Sequence, residues 1–262
     1  MLGLGGVLVS LAVTVAVVSG IREPRRIAAL TAAMCCLAPV LDLVRLGPIG
    51  MLPVALCAVG CLVPWRFRGA LIGAAAALQP LTALFVLHLW VTGRRMAAAT
   101  AAGVLAGSLL VLPGAAWRFW SFWTGRAFDA PERPPLAESN LSLLGMFHHL
   151  PVPALACWAV AAAGLLAVWA RMVRRLPPAC AVAVTGLVAV LVSPVAWPHC
   201  LVWVVVAVAA LVADGRTAAA AGVWVLFLPW NLPPVMLGAL AVLVLLAVGL
   251  PVRPAAQARV VM

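Results

Sequence analysis

The chain has 262 residues, of which 66% are hydrophobic and 9% charged, and its mean hydropathy is +1.20. A single globule of this size cannot bury so much apolar surface, so the composition excludes a soluble protein and predicts an all-α, polytopic membrane helical bundle. The net charge of +11 comes from 17 basic residues, all arginine. These arginines lie in short clusters between apolar stretches, a pattern that indicates membrane topology and not nucleic-acid binding.

Nine apolar stretches have the length of membrane spans, since a bundle tolerates spans somewhat shorter than about 20 residues. They are residues 2–20, 27–44, 48–64, 97–113, 154–170, 177–194, 199–213, 218–230 and 235–250. Positive charge follows the first stretch, at Arg22, Arg25 and Arg26, and does not precede it. This order predicts a first span with its N-terminus outside instead of a signal peptide.

A further apolar stretch, residues 69–92, is long enough to cross once but is interrupted by Gln79 and Pro80. A single crossing would divide the arginines almost evenly between the two sides of the membrane. If the stretch enters and returns as a re-entrant hairpin, the arginines outside are Arg45, Arg118, Arg126 and Arg133, and the other thirteen are cytoplasmic. Arginine accumulates in cytoplasmic loops, so we predict the hairpin, within one transmembrane domain, residues 1–262, of a multi-pass plasma-membrane protein.

This topology places the polar loops on the extracytoplasmic face, which is therefore the predicted functional face. They are residues 42–50, 114–153, 193–199 and 231–234. The long loop 114–153 begins with the aromatic run Trp117 to Trp123, and aromatic rings with a polar edge prefer the headgroup zone. We therefore predict a short interfacial helix there.

Several polar residues of this face allow both a structural and a functional interpretation. Asp42 is expected to form an ion pair with Arg45 at a helix end, and the alternative is a catalytic carboxylate. Glu138 could cap the helix that begins near Asn140. The adjacent histidines His148 and His149 are either solvated interfacial side chains or phosphate ligands.

We expect neither a metal nor a cofactor. Neighbouring histidines on a helix cannot both face one ion, and the seven cysteines show no metal-binding spacing. Within the predicted hairpin, His88 and Gln79 are expected to bond neighbouring backbone, and the alternative is that they line a cavity.

Four short motifs, in order along the chain, resemble those of glycosyltransferase family 87. Residues 140–149, NLSLLGMFHH, resemble its N-Q-S-L-x-G-x-x-x-R motif. Residues 193–203, SPVAWPHCLVW, resemble its S-P-x-S-W-x-H-H-L-x-W motif, and residues 46–56 and 77–80 resemble two others. The resemblance implies a GT-C-like fold and the transfer of a hexose or pentose from a polyprenyl-phosphate sugar to an extracytoplasmic acceptor of the cell envelope.

The resemblance also implies a lipid-phosphate site. Its substrate-binding residues would be Asn140, Ser142, His148, His149, Trp197 and His199. The family's catalytic aspartate lies in a first external loop that this chain is expected to lack, as an N-terminally shortened and diverged member. The candidates that remain for a catalytic carboxylate are Glu138, which lies nearest to the Asn140 motif, and Asp42.

Three classes of function follow. The first hypothesis is a membrane glycosyltransferase, and the second is a non-catalytic relative that binds a lipid carrier or a partner membrane protein. A transporter is disfavoured because no charge lies in the middle of a span and no repeat is visible. Since the phosphate-binding residues match the family better than the base does, we expect binding of a polyprenyl phosphate with little or no sugar transfer.

Overall fold

The computed structural model of the protein describes residues 2–46, 50–111, 114, 117, 140–230 and 232–249, and this part of the chain is helical, with no strand. The α-helices are α1 (Leu2–Ser19), α2 (Pro24–Met34), α3 (Ala38–Leu46), α4 (Leu52–Leu62), α5 (Arg68–Leu78), α6 (Leu84–Val91), α7 (Arg95–Val111), α8 (Leu143–His148), α9 (Ala154–Met172), α10 (Pro178–Val192), α11 (Trp203–Ala213), α12 (Thr217–Leu226) and α13 (Pro234–Gly249). Short 3-10 helices at Pro80–Ala83 and Pro198–Val202 precede α6 and α11. The all-α prediction is confirmed.

By length and composition, α9, with 19 residues, is the one described helix that could cross a membrane by itself. Helices α1 and α2 would supply a second span if this pair, bent by 117°, formed a single crossing. The other apolar helices of the described ranges have 10–17 residues. The nine spans therefore stay a prediction.

The predicted span 27–44 is wrong as one continuous helix. Helix α2 ends at Met34, and α3 begins at Ala38 after a tight turn. The backbone amide of Ala38 donates to the carbonyl of Phe227 at 2.9 Å, so a tertiary hydrogen bond replaces a helical one. Pro39 contributes to the break, since it has no N–H and its ring would clash with the carbonyl four residues earlier.

The stretch 69–92 consists of two half-length helices, α5 and α6, separated at Gln79. Gly69 of α5 packs against the backbone of Ala97 in α7, and Gly73, one turn later, packs against that of Ala101. Helices α5 and α7 are therefore parallel, and their N-terminal ends lie side by side. Since α6 joins the far end of α5 to the start of α7, it returns to the end where α5 began, as predicted for a hairpin.

Arginine side chains mark the end of the bundle at which this hairpin starts and finishes. Arg94 Nη1 donates to the carbonyl of Cys61 at the end of α4, and Arg174 Nε donates to the carbonyl of Val91 at 3.0 Å. Such side chains satisfy helix-terminal carbonyls that have no partner within their own helix. We call this the arginine end, and we call the opposite end, which contains residues 140–142 and 193–199, the site end.

The core between these ends includes a close contact of α10 and α11. Trp203 is fully buried, stacks on Phe85 of α6 with ring centroids 4.9 Å apart, and lies against Gly186. A Cβ atom at Gly186 would overlap the indole ring. The absence of a side chain at this position is therefore what lets the tryptophan fit between the helices.

The interpretation of His88 as a residue that bonds neighbouring backbone is wrong, and the alternative, that it lines a cavity, is confirmed. Its Nδ1 lies 2.8 Å from Oγ1 of Thr185 in α10, a hydroxyl that also accepts from Trp169 Nε1 at 3.0 Å. The Thr185 hydroxyl donates its one proton to the carbonyl of Ala181, so the proton of the His88 bond must be on Nδ1. Gln79 Oε1 is buried without a hydrogen-bond partner among the described residues.

Candidate functional site

The site end is built around hydrogen bonds between residues 140–142 and the turn after α10. The side-chain amide of Asn140 donates from Nδ2 to the carbonyl of Pro194 at 2.9 Å, and its Oδ1 accepts from the amide of Ala196 at 2.9 Å. The backbone adds a further bond, from the amide of Leu141 to the carbonyl of Ala196 at 2.8 Å. Two of the four family-like motifs are therefore joined directly.

Ser142 begins α8 and strengthens the same connection. Its hydroxyl donates to the carbonyl of Pro194 at 3.2 Å and accepts from the amide of Gly145 at 3.2 Å, which makes it the N-cap of the helix. Its own amide donates to Asn140 Oδ1 at 3.1 Å. The turn is tight, because a Cβ at Gly145 would overlap the backbone of Asn140.

These contacts indicate how Asn140 and Ser142 act. Both side chains are buried, and both bond backbone groups of the protein. Burial is costly for such groups unless they are hydrogen-bonded, and here the bonds also fix the position of one loop relative to the other. The two residues are thus placed to hold the site in shape, while contact with a substrate stays a prediction for each of them.

Trp197 and His199 follow the joined segment and are half-buried. Their rings stack with centroids 5.8 Å apart and an interplanar angle of 16°. His199 belongs to the 3-10 helix Pro198–Val202, so it precedes α11, which begins at Trp203. The predicted span 199–213 accordingly starts with this turn, and His199 lies at the end of the bundle.

The negative charge of Asp42 influences His199. Helix α3, which carries Asp42, packs against the 3-10 helix Pro198–Val202. Burial lowers the pKa of His199 below its ordinary value of 6.5, and the negative charge of Asp42 opposes this shift by raising it. At neutral pH the imidazole is therefore mainly neutral and able to accept a proton next to a carboxylate that stabilises the protonated form.

No contact found among the described residues joins the other predicted site residues to Asp42, Trp197 or His199. His148 is the last residue of α8 and His149 its C-cap, and both are exposed. Glu138 and the side chain of Arg45 lie outside the described residues, as do positions 118–123 of the predicted interfacial helix, so these predictions stay as they were. No group of three or more histidine, cysteine or acidic residues that could hold a metal ion occurs in the described ranges.

Sequence reasoning missed the proximity of Asp42 to His199. It assigned Asp42 to a pair with Arg45, one turn along the same helix, because local spacing is all that a sequence displays. It also missed the N-cap of Ser142, although a serine that directly precedes an apolar helical segment is an ordinary N-cap signal.

Comparison with known proteins agrees with the motifs. The sequence profile of glycosyltransferase family 87 matches residues 1–194. The chain is 30% identical, over 185 residues, to a polyprenol-phosphate-mannose-dependent alpha-(1-2)-phosphatidylinositol mannoside mannosyltransferase of Mycobacterium tuberculosis (strain ATCC 25618 / H37Rv). That alignment covers 66% of this chain but 43% of the mycobacterial protein, so the chain spans less than half of its relative. No solved structure matches the chain. The family match extends over well more than half of the sequence, and the chain belongs to glycosyltransferase family 87.

Proposed function

We propose that the protein is an integral membrane glycosyltransferase that transfers a sugar, with mannose as the first candidate, from a polyprenyl phosphate to an acceptor hydroxyl on the extracytoplasmic side of the plasma membrane. The observation that carries the proposal is the packing of α3, which carries Asp42, against the 3-10 helix of His199, next to the joined segments 140–142 and 193–196. Family membership and the donor in the relative's name support the chemistry.

In the proposed reaction, the acceptor oxygen attacks the anomeric carbon while the bond from that carbon to the phosphate oxygen breaks. The polyprenyl phosphate leaves with the electron pair, and the proton of the hydroxyl passes to a base. His199, neutral at pH 7, is the candidate base, and Asp42 is the carboxylate that would stabilise the imidazolium formed. Such a base typically contributes about 10²- to 10⁴-fold to a rate.

The leaving phosphate needs donors as its charge develops. The exposed His148 and His149 at the end of α8 are candidates for this role, and Trp197 provides an apolar face next to His199. Asn140 and Ser142 would act indirectly, by fixing the loop that carries Trp197 and His199. This division separates the residues that touch the substrate from those that position them.

The test is release of polyprenyl phosphate from polyprenyl-phosphate mannose by the protein in membranes, measured by mass spectrometry with a crude lipid fraction as the acceptor. His199→Ala should lower turnover by about 10²-fold or more, while Leu150→Ala, an exposed neighbour of His149, should leave it unchanged. Glu138→Gln serves as the competing variant. If Glu138→Gln abolishes turnover and His199→Ala does not, the base is Glu138.

The alternative function is a non-catalytic relative that binds the lipid carrier. Binding of polyprenyl phosphate without release of sugar, in a preparation that has its native lipids, would favour this alternative over transfer. In that case His149→Ala and His199→Ala should each weaken lipid binding, since phosphate recognition would remain the function of the site.

A further inference from the structure

A cavity of about 580 Å³ lies at the arginine end of the bundle, away from the site end. It is formed by the end of α6, the start of α7, the turn that follows α9 and the start of α10. Its lining contains three arginines, Arg94, Arg95 and Arg174, and no carboxylate. A partly open cavity with this charge favours an anionic ligand.

Contacts within the protein orient each of the three arginines. Arg94 donates to the carbonyl of Cys61, Arg174 donates from Nε to the carbonyl of Val91 at 3.0 Å, and the guanidinium of Arg95 lies 5.7 Å from the ring centre of Trp90. A guanidinium has five N–H donors in a planar fork that matches the geometry of a phosphate. One bond to a carbonyl therefore holds the group in place and leaves donors that can reach a ligand.

Apolar side chains form part of the cavity lining: Val91, Val173, Leu176, Ala181 and Val182. His88 and Thr92 also line it, so the lining is mixed. A ligand that matches both the arginines and the apolar side chains needs an anionic group and a hydrocarbon part. Inorganic phosphate, or a soluble sugar phosphate, satisfies only the first requirement.

Aromatic side chains at the same end indicate the depth at which the cavity would lie in a membrane. Trp65, Phe67 and Trp90 are exposed, and Arg66 lies over the ring of Phe67 at 4.4 Å. Exposed tryptophan beside arginine is typical of the headgroup zone of a bilayer. The arginines of the cavity are then at the level of lipid phosphates, where an acyl chain can contact the apolar part of the lining.

We propose that this cavity binds an anionic membrane phospholipid, with the headgroup phosphate held by Arg94, Arg95 and Arg174 and part of an acyl chain on the apolar part of the lining. The proposal depends on a membrane location and not on sugar transfer. It concerns a second lipid site at the opposite end of the bundle from the joined family motifs.

The experiment is native mass spectrometry of the full chain in detergent, titrated with phosphatidylglycerol or with phosphatidylcholine of the same acyl chains. Phosphatidylglycerol should bind at least about tenfold more tightly, and Arg95→Gln or Arg174→Gln should each remove about tenfold of that affinity, as expected for a charge-assisted hydrogen bond. Arg171→Gln is the matched control, because Arg171 is exposed on α9 and bonds the carbonyl of Ala167 without lining the cavity.

The competing outcomes are distinct. Equal binding of the two lipids would overturn the proposal, and so would an equal loss of affinity in Arg171→Gln. Full displacement of phosphatidylglycerol by millimolar inorganic phosphate would show a site for soluble anions and would overturn the lipid assignment. Arg95→Gln removes no hydrogen bond to backbone found in the structure, so its folding can be checked by an unchanged melting temperature.

Discussion

Asn140 Oδ1 accepts a hydrogen bond from the backbone amide of Ala196 at 2.9 Å, while Nδ2 of the same side chain donates to the carbonyl of Pro194. One buried amide therefore bonds both a donor and an acceptor of the other loop. This relationship joins the two sequence motifs on which the functional proposal depends.

Asn140→Ala should lower the stability of the protein and its activity together. Loss of the amide leaves the Ala196 N–H without this partner, at about 1–3 kcal/mol, while the Pro194 carbonyl keeps its bond from the Ser142 hydroxyl. A fall in melting temperature of several degrees is expected, measured by intrinsic fluorescence in detergent. His149→Ala, an exposed position on the same loop, is the stability control, and an equal fall in both variants would contradict the structural role of Asn140.

Gly186→Ala and Gly164→Ala should have opposite effects on stability. A helical glycine replaced by alanine gains about 0.5–1 kcal/mol where space allows, and a Cβ at Gly164 of α9 meets nothing within 4 Å. At Gly186 the same atom overlaps the indole of Trp203, and overpacking costs about 1–3 kcal/mol. Melting temperatures of the two variants should therefore move in opposite directions, and a rise in both would contradict the tight packing of Trp203.

Thr185→Val should destabilise the contact of α6, α9 and α10. Valine has a similar shape but leaves Trp169 Nε1 and His88 Nδ1 without their acceptor, at about 1–3 kcal/mol each. Thr185→Ser keeps the hydroxyl and should retain most of the stability. Thr100→Val is the control, since that exposed hydroxyl bonds only the carbonyl of Met96 in its own helix among the contacts found.

Asp42→Asn should move the acid limb of the pH–rate profile to lower pH. If His199 is the base, activity falls as pH drops through its pKa, which burial places below 6.5. Removal of the Asp42 charge removes the influence that raises this pKa, so protonation then requires a lower pH. The measurement is kcat/KM for sugar transfer across the acid range, and a limb that stays in place or moves to higher pH would exclude this pairing.

Cysteine labelling tests the membrane sides. In a cysteine-free background, a membrane-impermeant maleimide added outside should label Leu150→Cys and should label Met96→Cys only after the membrane is permeabilised. Both side chains are exposed, at the site end and the arginine end respectively. Labelling of Met96→Cys from outside in intact cells would exclude the predicted orientation of the hairpin.

The sequence predicted those features that depend on composition and on short-range pattern. The break at Gln79 and Pro80, together with the division of the arginines, indicated a hairpin, and the structure returns α6 to the start of α5. The predicted collection of loops on one face agrees with the bonds of Asn140 to the turn after α10.

The features that the sequence did not predict are contacts between distant residues. The bond from Ala38 to Phe227 that divides the predicted span 27–44 is one of them, and the bond from His88 to Thr185 is another. Apolar periodicity and local propensity contain no information on which polar group a distant helix will present. The same reason explains why the influence of Asp42 on His199 was not predicted, while the pair of Asp42 with Arg45 stays a prediction.

Three complete helices, α8, α9 and α10, separate Asn140 from Pro194 along the chain. During synthesis, residues 140–142 leave the ribosome before their partners exist, and their hydrogen bonds can form only after these helices and the following turn have been synthesised. Contacts that close such a long stretch of chain form late, because the entropy of closing it must be overcome first. The joined loops therefore form only after residue 196 has been synthesised, and a nascent chain that stalls before residue 193 cannot have them.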